Sequence, residues 1–213
     1  MQIRGGDMSF SQLEKERIRN ILGFFIKESN KDILYMALFK RLFFLDRQAF
    51  LETGVPITKY SYSAKPLGPV PIDLEMELKG KANPNAAVEA DSVIRLRKPS
   101  SPKADSAEGF FDLVDNNWKI NEQIFTLYEI ELLQRIAEGC KQETGKQLSH
   151  YSHDCASWVK AFHEKGEGAH ITFYDEAGSS DDPYTPEERE RLDSSRLGME
   201  LLLSDAEMLN ESQ

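Results

Sequence analysis

The sequence predicts an α+β fold that is predominantly helical, with a helical core carrying a small antiparallel sheet or hairpins. Three observations predict it. Two segments, 11–28 and 127–144, open on capping boxes and continue with apolar side chains at helical spacing. A third, 33–53, is apolar on so wide a stripe that it must be buried on most sides. Between them lie short runs at strand period, punctuated by proline, glycine and serine.

In the first helix, Ser11-x-x-Glu14 forms the capping box. Leu13, Ile18, Ile21, Leu22, Phe25 and Ile26 then recur at helical steps to about residue 28. This face is expected to pack on the helix that follows. There Leu34, Leu38, Leu42, Leu45 and Ala49 form the stripe, and Met36, Phe39, Phe43 and Phe50 thicken it. Asn30 is the expected N-cap with Asp32 in the first turn, Gly54 the left-handed terminator, and Pro56 forbids continuation. Lys40, Arg41, Asp46 and Arg47 interrupt the apolar pattern. Asp46 reads either as a charge on a solvated flank, the commoner placement, or as a buried, paired carboxylate.

Over 57–64, Ile57, Lys59, Ser61 and Ser63 alternate with Thr58, Tyr60, Tyr62 and Ala64. The pattern predicts a strand with both tyrosines on one face, serving either as half-buried packing or as a binding surface. Residues 65–71 are then expected to make a rigid turn at Gly68-Pro69, with Pro71 opening a short helix over 72–79. A loop over 80–87 leads to a strand over 88–96. A polar linker, 98–103, separates it from a second strand at 110–114 that is expected to pair with it.

Thr126-x-x-Glu129 opens the clearest amphipathic helix, with Ile130, Leu133, Ile136, Ala137 and Cys140 on one face and Gly145 as its end. Residues 148–158 read as a short helix or pair of turns running on to 163, and 170–174 as a last strand. A loop over 175–184, a helix start at Thr185-Pro186-Glu187-Glu188 and an apolar patch at 197–203 complete the chain. The organisation is thus an N-terminal arm or expression remnant at 1–10, one domain at 11–175, and an acidic extension with a short helix at 176–213.

The chain of 213 residues is long enough for a substantial core. Its longest apolar run, 33–39, is far short of the roughly 18 to 20 residues of a membrane span. With a polar N-terminus and two cysteines, Cys140 and Cys155, too few for a disulfide framework, the expected compartment is the cytoplasm. Residues 175–213 carry twelve acidic and three basic side chains, net −9, while the whole chain carries −10. The remaining body is balanced and shows no basic stripe for a phosphate backbone, which disfavours nucleic-acid binding and an autoregulator acting on DNA.

Phosphate loops, nucleophile elbows and HExxH are all absent. One cluster could carry chemistry. His150 and His153, three apart, could share a helix face that Asp154 or Cys155 completes for a metal, or Cys155 could act as a thiol nucleophile beside His153. No second ligand pair stands at zinc spacing, so the expected cofactor set is none. The alternative is structural, with His153 hydrogen-bonding across a helix end and Trp158 filling core.

Two blocks resemble a known family. Lys40-Arg41-Leu42-Phe43-Phe44-Leu45-Asp46, then Glu52-Thr53-Gly54-Val55-Pro56-Ile57-Thr58, then Tyr62 and Leu67-Gly68-Pro69-Val70-Pro71, is similar to the opening signature of the SocA-like antitoxin, or Panacea, domain. Leu148-Ser149 and Ser152-His153, followed by Trp158 and by a glycine and His170-Ile171, resembles its second signature. The likeness covers about residues 12–175 and departs at Ser157, where a proline is expected before the tryptophan.

The resemblance implies a mostly helical α+β domain of bacterial, phage and prophage genes. It implies an antitoxin that neutralises the protein toxin of an adjacent gene by direct contact and without catalysis, or a variant that carries the toxin to a protease. Among the family-motif residues, Asp46, Gly54, Thr58, Gly68, Pro69, His153 and Trp158 are expected to hold the domain's shape, and Tyr60 and Tyr62 to meet the partner. The alternative is a metal- or thiol-dependent enzyme built on His150, His153 and Cys155, or a phage-associated protein of another role. The acidic tail could steer a basic partner or simply keep the protein in solution.

Overall fold

A computed structural model of the chain describes residues 10–29, 33–81, 87–97 and 109–176. The capping box of Ser11 and Glu14 starts α1 (Gln12–Lys27) as the sequence predicts. A two-residue strand, β1 (Ile33–Leu34), leads directly into α2 (Tyr35–Thr53). The expected cap at Asn30 and Asp32 lies outside the described residues. In its place Leu34 occupies the N-cap position without a side-chain hydrogen bond. Gly54 ends α2 in the left-handed conformation, φ 78°, as expected.

Burial drives the packing of α1 on α2. Ile21, Leu22 and Phe25 from α1 and Leu38, Phe39, Leu42, Phe43 and Leu45 from α2 are fully buried. Each such side chain contributes about 1.5–3 kcal/mol, more than the roughly 1 kcal/mol net of one hydrogen bond.

Next come β2 (Tyr62–Lys65), β3 (Gly68–Pro71) and α3 (Ile72–Leu78). The alternation over 57–64 is real, since Thr58, Tyr60, Tyr62 and Ala64 are all buried, but only its last part is strand. Lys59 takes a left-handed φ of 58° that breaks the extended chain. The turn also falls earlier than the sequence predicts. Gly68 and Pro69 belong to β3, which pairs antiparallel with β2 in the register Ala64↔Pro69 and Lys65↔Gly68, leaving Pro66 and Leu67 as the turn. Pro69 and Pro71 lack N–H donors, which suits them to the edge strand that β3 is.

A 3₁₀ turn at Ala90–Ser92 precedes β4 (Ile94–Arg97), which pairs antiparallel with β5 (Phe110–Leu113). This hairpin is the expected one, with a shorter first strand. β5 also pairs with β1, giving one sheet of order β1-β5-β4. The linker at 98–103 falls outside the described residues.

The capping box of Thr126 and Glu129 opens α4 (Leu127–Gly139), which stops at Cys140, earlier than the sequence predicts. Gly145 is the first residue of α5 (Gly145–His153) and terminates nothing. Thr144 and Gln147 form a third capping box that restarts the chain as a helix. A Cβ on Gly145 would sit at ordinary van der Waals distance, 3.6 Å, from Leu34 Cδ1 at the start of α2, on which α5 packs. After α6 (Ala156–Lys160) and a π-helical turn at Ala161–Lys165, β6 (His170–Ile171) pairs with β2 to complete a second sheet, β3-β2-β6. The expected last strand is therefore two residues long, and Phe173–Glu176 is a 3₁₀ turn. The acidic extension from residue 177 on, with its expected helix start and apolar patch, lies outside the described residues, whereas its first residue, Glu176, ends that turn.

The observed fold is the predominantly helical α+β arrangement, with α2 at its centre, packed against α1, α4, α5 and β3. Among the described residues no helix is long and apolar enough to cross a membrane.

Gly68 combines positive φ with crowding. At φ +95°, an added Cβ would enter the contact distance of Ser152 Oγ and lie 2.8 Å from Lys40 Cε. Gly80 shares the left-handed conformation (φ +69°) but has nothing within 4 Å. Urea denaturation is therefore expected to show Gly68→Ala losing about 3 kcal/mol and Gly80→Ala only about 1 kcal/mol. Equal losses would mean that backbone strain alone sets the requirement.

Candidate functional site

The charged residues that interrupt the apolar stripe of α2 are turned inward, and two of them, Lys40 and Asp46, act on the β2–β3 hairpin. Lys40, Arg41 and Asp46 are buried, and the Arg47 side chain is 11% exposed. Asp46 is the buried, paired carboxylate and not a solvated flank. Its Oδ1 accepts the Thr58 backbone N–H at 2.7 Å, and its Oδ2 accepts the Thr58 hydroxyl and the Tyr62 hydroxyl, the latter at 2.7 Å. Burial raises Asp46 from 3.8 to about 6, against the opposing pull of the hydrogen bonds from Thr58 and Tyr62. Burial and the adjacent carboxylate push the Tyr62 phenol well above its ordinary value, so it stays protonated and donates.

Three further side chains hold the β2–β3 hairpin by its carbonyls. Lys40 Nζ donates to Pro69 O at 2.7 Å, Ser149 Oγ to Leu67 O at 2.7 Å, and Trp158 Nε1 to Lys65 O at 3.2 Å. They come from α2, α5 and α6, so the turn is clamped from three elements while Leu67 at its tip is 56% exposed. Trp158 is itself fixed by stacking. The His153 ring lies 4.1 Å from it at 20°, and Phe162 lies 4.7 Å from it at 11°. The expected hydrogen bond of His153 across a helix end is not formed, since its Nε2 is buried without a hydrogen-bond partner. Burial, followed by the nearby Lys40 charge, holds this imidazole below its ordinary pKa, in the neutral form that stacks on Trp158.

Arg41 and Arg47 extend the same logic. Arg41 donates to Phe25 O and Ser29 Oγ at the end of α1 and to Cys140 O at the end of α4. It thereby satisfies carbonyls that helix ends leave open. Arg47 pairs with the fully buried Glu176 at 3.0 Å, and Glu176 also accepts the Ser157 backbone N–H at 3.1 Å. The residue that stands where a proline was expected thus supplies an N–H that proline lacks.

The residues singled out for partner contact are placed differently. Tyr60 and Tyr62 are 5% and 1% exposed, Tyr60 packed edge-to-face on Phe10 at 5.7 Å, so neither side chain offers a docking surface in this conformation. The alternating period was correct, but the face it marks is the core. His150, His153 and Cys155 also do not converge on a ligand. His150 is exposed, His153 is stacked on Trp158, and the buried Cys155 thiol contacts Tyr151 O at 3.7 Å. Among the described residues no group of three or more His, Cys, Asp or Glu side chains is placed to hold a metal ion. Sequence reasoning missed the clamping roles of Lys40, Ser149 and Glu176. Only the hydrophobic neighbours of Lys40 and the serine spacing of α5 could have hinted at them.

A helical α+β domain in which the side chains of Lys40, Asp46, Ser149 and Trp158 are directed at one hairpin is the class this arrangement defines. The chain belongs to the family described as Antitoxin SocA-like, Panacea domain, which matches residues 38–159. No curated protein and no solved structure matches the chain. The matched span contains Asp46 with its partners and the whole hairpin clamp, whereas α1, β6 and Glu176 lie outside it.

Because the folded state raises the Asp46 pKa, its contribution to stability is full below about pH 3.8 and is lost as pH rises through about 6. Asp46→Asn removes that titration. The stability advantage of wild type over the variant is expected to shrink by about 2–3 kcal/mol between pH 4 and 6.5, followed by urea midpoints. A constant difference would place the titration elsewhere. Ser157→Pro deletes one donor to Glu176 and is expected to lower stability by about 1–2 kcal/mol in the same assay.

Proposed function

We propose that this chain is an antitoxin that neutralises the toxin of a neighbouring gene by direct protein contact, without catalysing a reaction. The family match carries the reading, together with what the matched residues do. Lys40, Asp46, Thr58, Tyr62, Ser149 and Trp158 are engaged with one another or with backbone carbonyls of the hairpin. The cysteines suit the same reading. Burial pushes the Cys140 thiol up to about 11, far from a reactive thiolate, and Cys155 is buried on a helix carbonyl. The acidic extension, net −9 over 175–213, would raise the encounter rate with a basic toxin surface.

Expression of the neighbouring gene with and without this chain tests the proposal. The expected result is growth arrest by the neighbour alone, relief on co-expression, and a stable complex on co-purification with the toxin level unchanged. A falling toxin level would instead identify a proteolysis adaptor. A harmless neighbour with nothing co-purifying would dispose of the antitoxin reading.

A further inference from the structure

A groove of about 460 Å³ lies on the surface away from the hairpin clamp, between the start of α1, the segment that links α2 to β2, and the start of α4. Its walls include Leu13, Val55, Pro56, Ile57 and Tyr128. Leu13 and Val55 are 54% and 57% exposed. Exposed apolar residues gathered around one concavity, and not scattered singly, mark an interaction surface.

The charges on the walls are already paired. Glu14 accepts Lys59 Nζ at 2.8 Å and also caps Ser11, while Glu129 pairs with Arg17 and caps Thr126. The hydrogen bond from Lys59 holds Glu14 down to about 2, so this carboxylate is ionised throughout the physiological range. Two acidic and two basic groups give the groove a formal charge of zero, and the capping boxes neutralise both helix starts that face it. A charged ligand group would be desolvated here without a free counter-charge, whereas an apolar one would lose nothing. Lys59 reaches Glu14 from the left-handed conformation, φ 58°, a strained setting for a residue with a side chain and one typical of functional surfaces.

We propose that this groove is the surface that receives the toxin, and that its occupant is an uncharged segment of the toxin presenting large apolar side chains. The proposal rests on the antitoxin reading above. It assigns recognition to the start of α1, residues 53–59 and the start of α4, and leaves the hairpin clamp a structural role.

The test measures the Kd between the purified full chain and the purified product of the neighbouring gene. Val55→Glu and Leu13→Glu each place a charge on the apolar wall, at positions exposed enough to leave the fold unchanged by circular dichroism and thermal unfolding. Each is expected to weaken binding by at least about tenfold. Val55→Leu keeps the wall apolar and is expected to bind within about twofold of wild type, as are the control variants Leu67→Glu and Val159→Glu outside the groove. A wild-type complex that the two groove charges leave undisturbed would overturn the surface while the antitoxin reading stands. Failure of the wild-type chain to bind the neighbour at all would remove both.

Discussion

Taking an ion out of water costs several kcal/mol, so a helix that buries Lys40, Arg41, Asp46 and Arg47 within two turns must be met by partners at fixed positions. Each partner lies in a different part of the fold. Lys40 holds β3, Arg41 holds the ends of α1 and α4, Asp46 holds the segment entering β2, and Arg47 holds Glu176 beyond β6. Apolar burial supplies most of the free energy of packing, but it is non-directional. The ionic groups on α2 supply direction, because a shift of any neighbour would strand a buried charge.

This division of labour explains which parts of the architecture could be read from the sequence. The helices announced themselves through capping boxes and period, and Gly54 through the left-handed conformation that helix ends favour. Gly145 has the composition of a terminator, yet it opens a helix because Thr144 and Gln147 restart one. Gly68-Pro69 has the composition of a turn, yet it is strand because Lys40, Ser149 and Trp158 seize the carbonyls around it. At Gly68-Pro69 contacts from distant elements override local preference, and at Gly145 the neighbouring capping box does.

The candidate site was legible only as far as the family motif. The motif pointed to Asp46, Thr58, Gly68, His153 and Trp158, and the structure shows why they belong together: carboxylate, stacked rings and a crowded glycine all act on one hairpin. It gave no means of separating a tyrosine face turned to a partner from one turned to the core, since both have the period of two. Burial decided between them. The groove beside α1 and α4 had no sequence signal, because Leu13, Val55 and Tyr128 come to line it together only through the tertiary fold.

The matched span, 38–159, and the physically interlocked body do not coincide. Ile18, Ile21 and Phe25 ahead of it and Ile171, Phe173 and Glu176 behind it are buried in the same core, with Phe173 against the rings of Phe43 and Tyr62. A polypeptide trimmed to the recognisable segment would expose the rings of Phe43 and Tyr62 and lose the carboxylate that meets Arg47. The part of this protein that sequence comparison delimits is therefore smaller than the part that has to be synthesised together for any of it to hold its form.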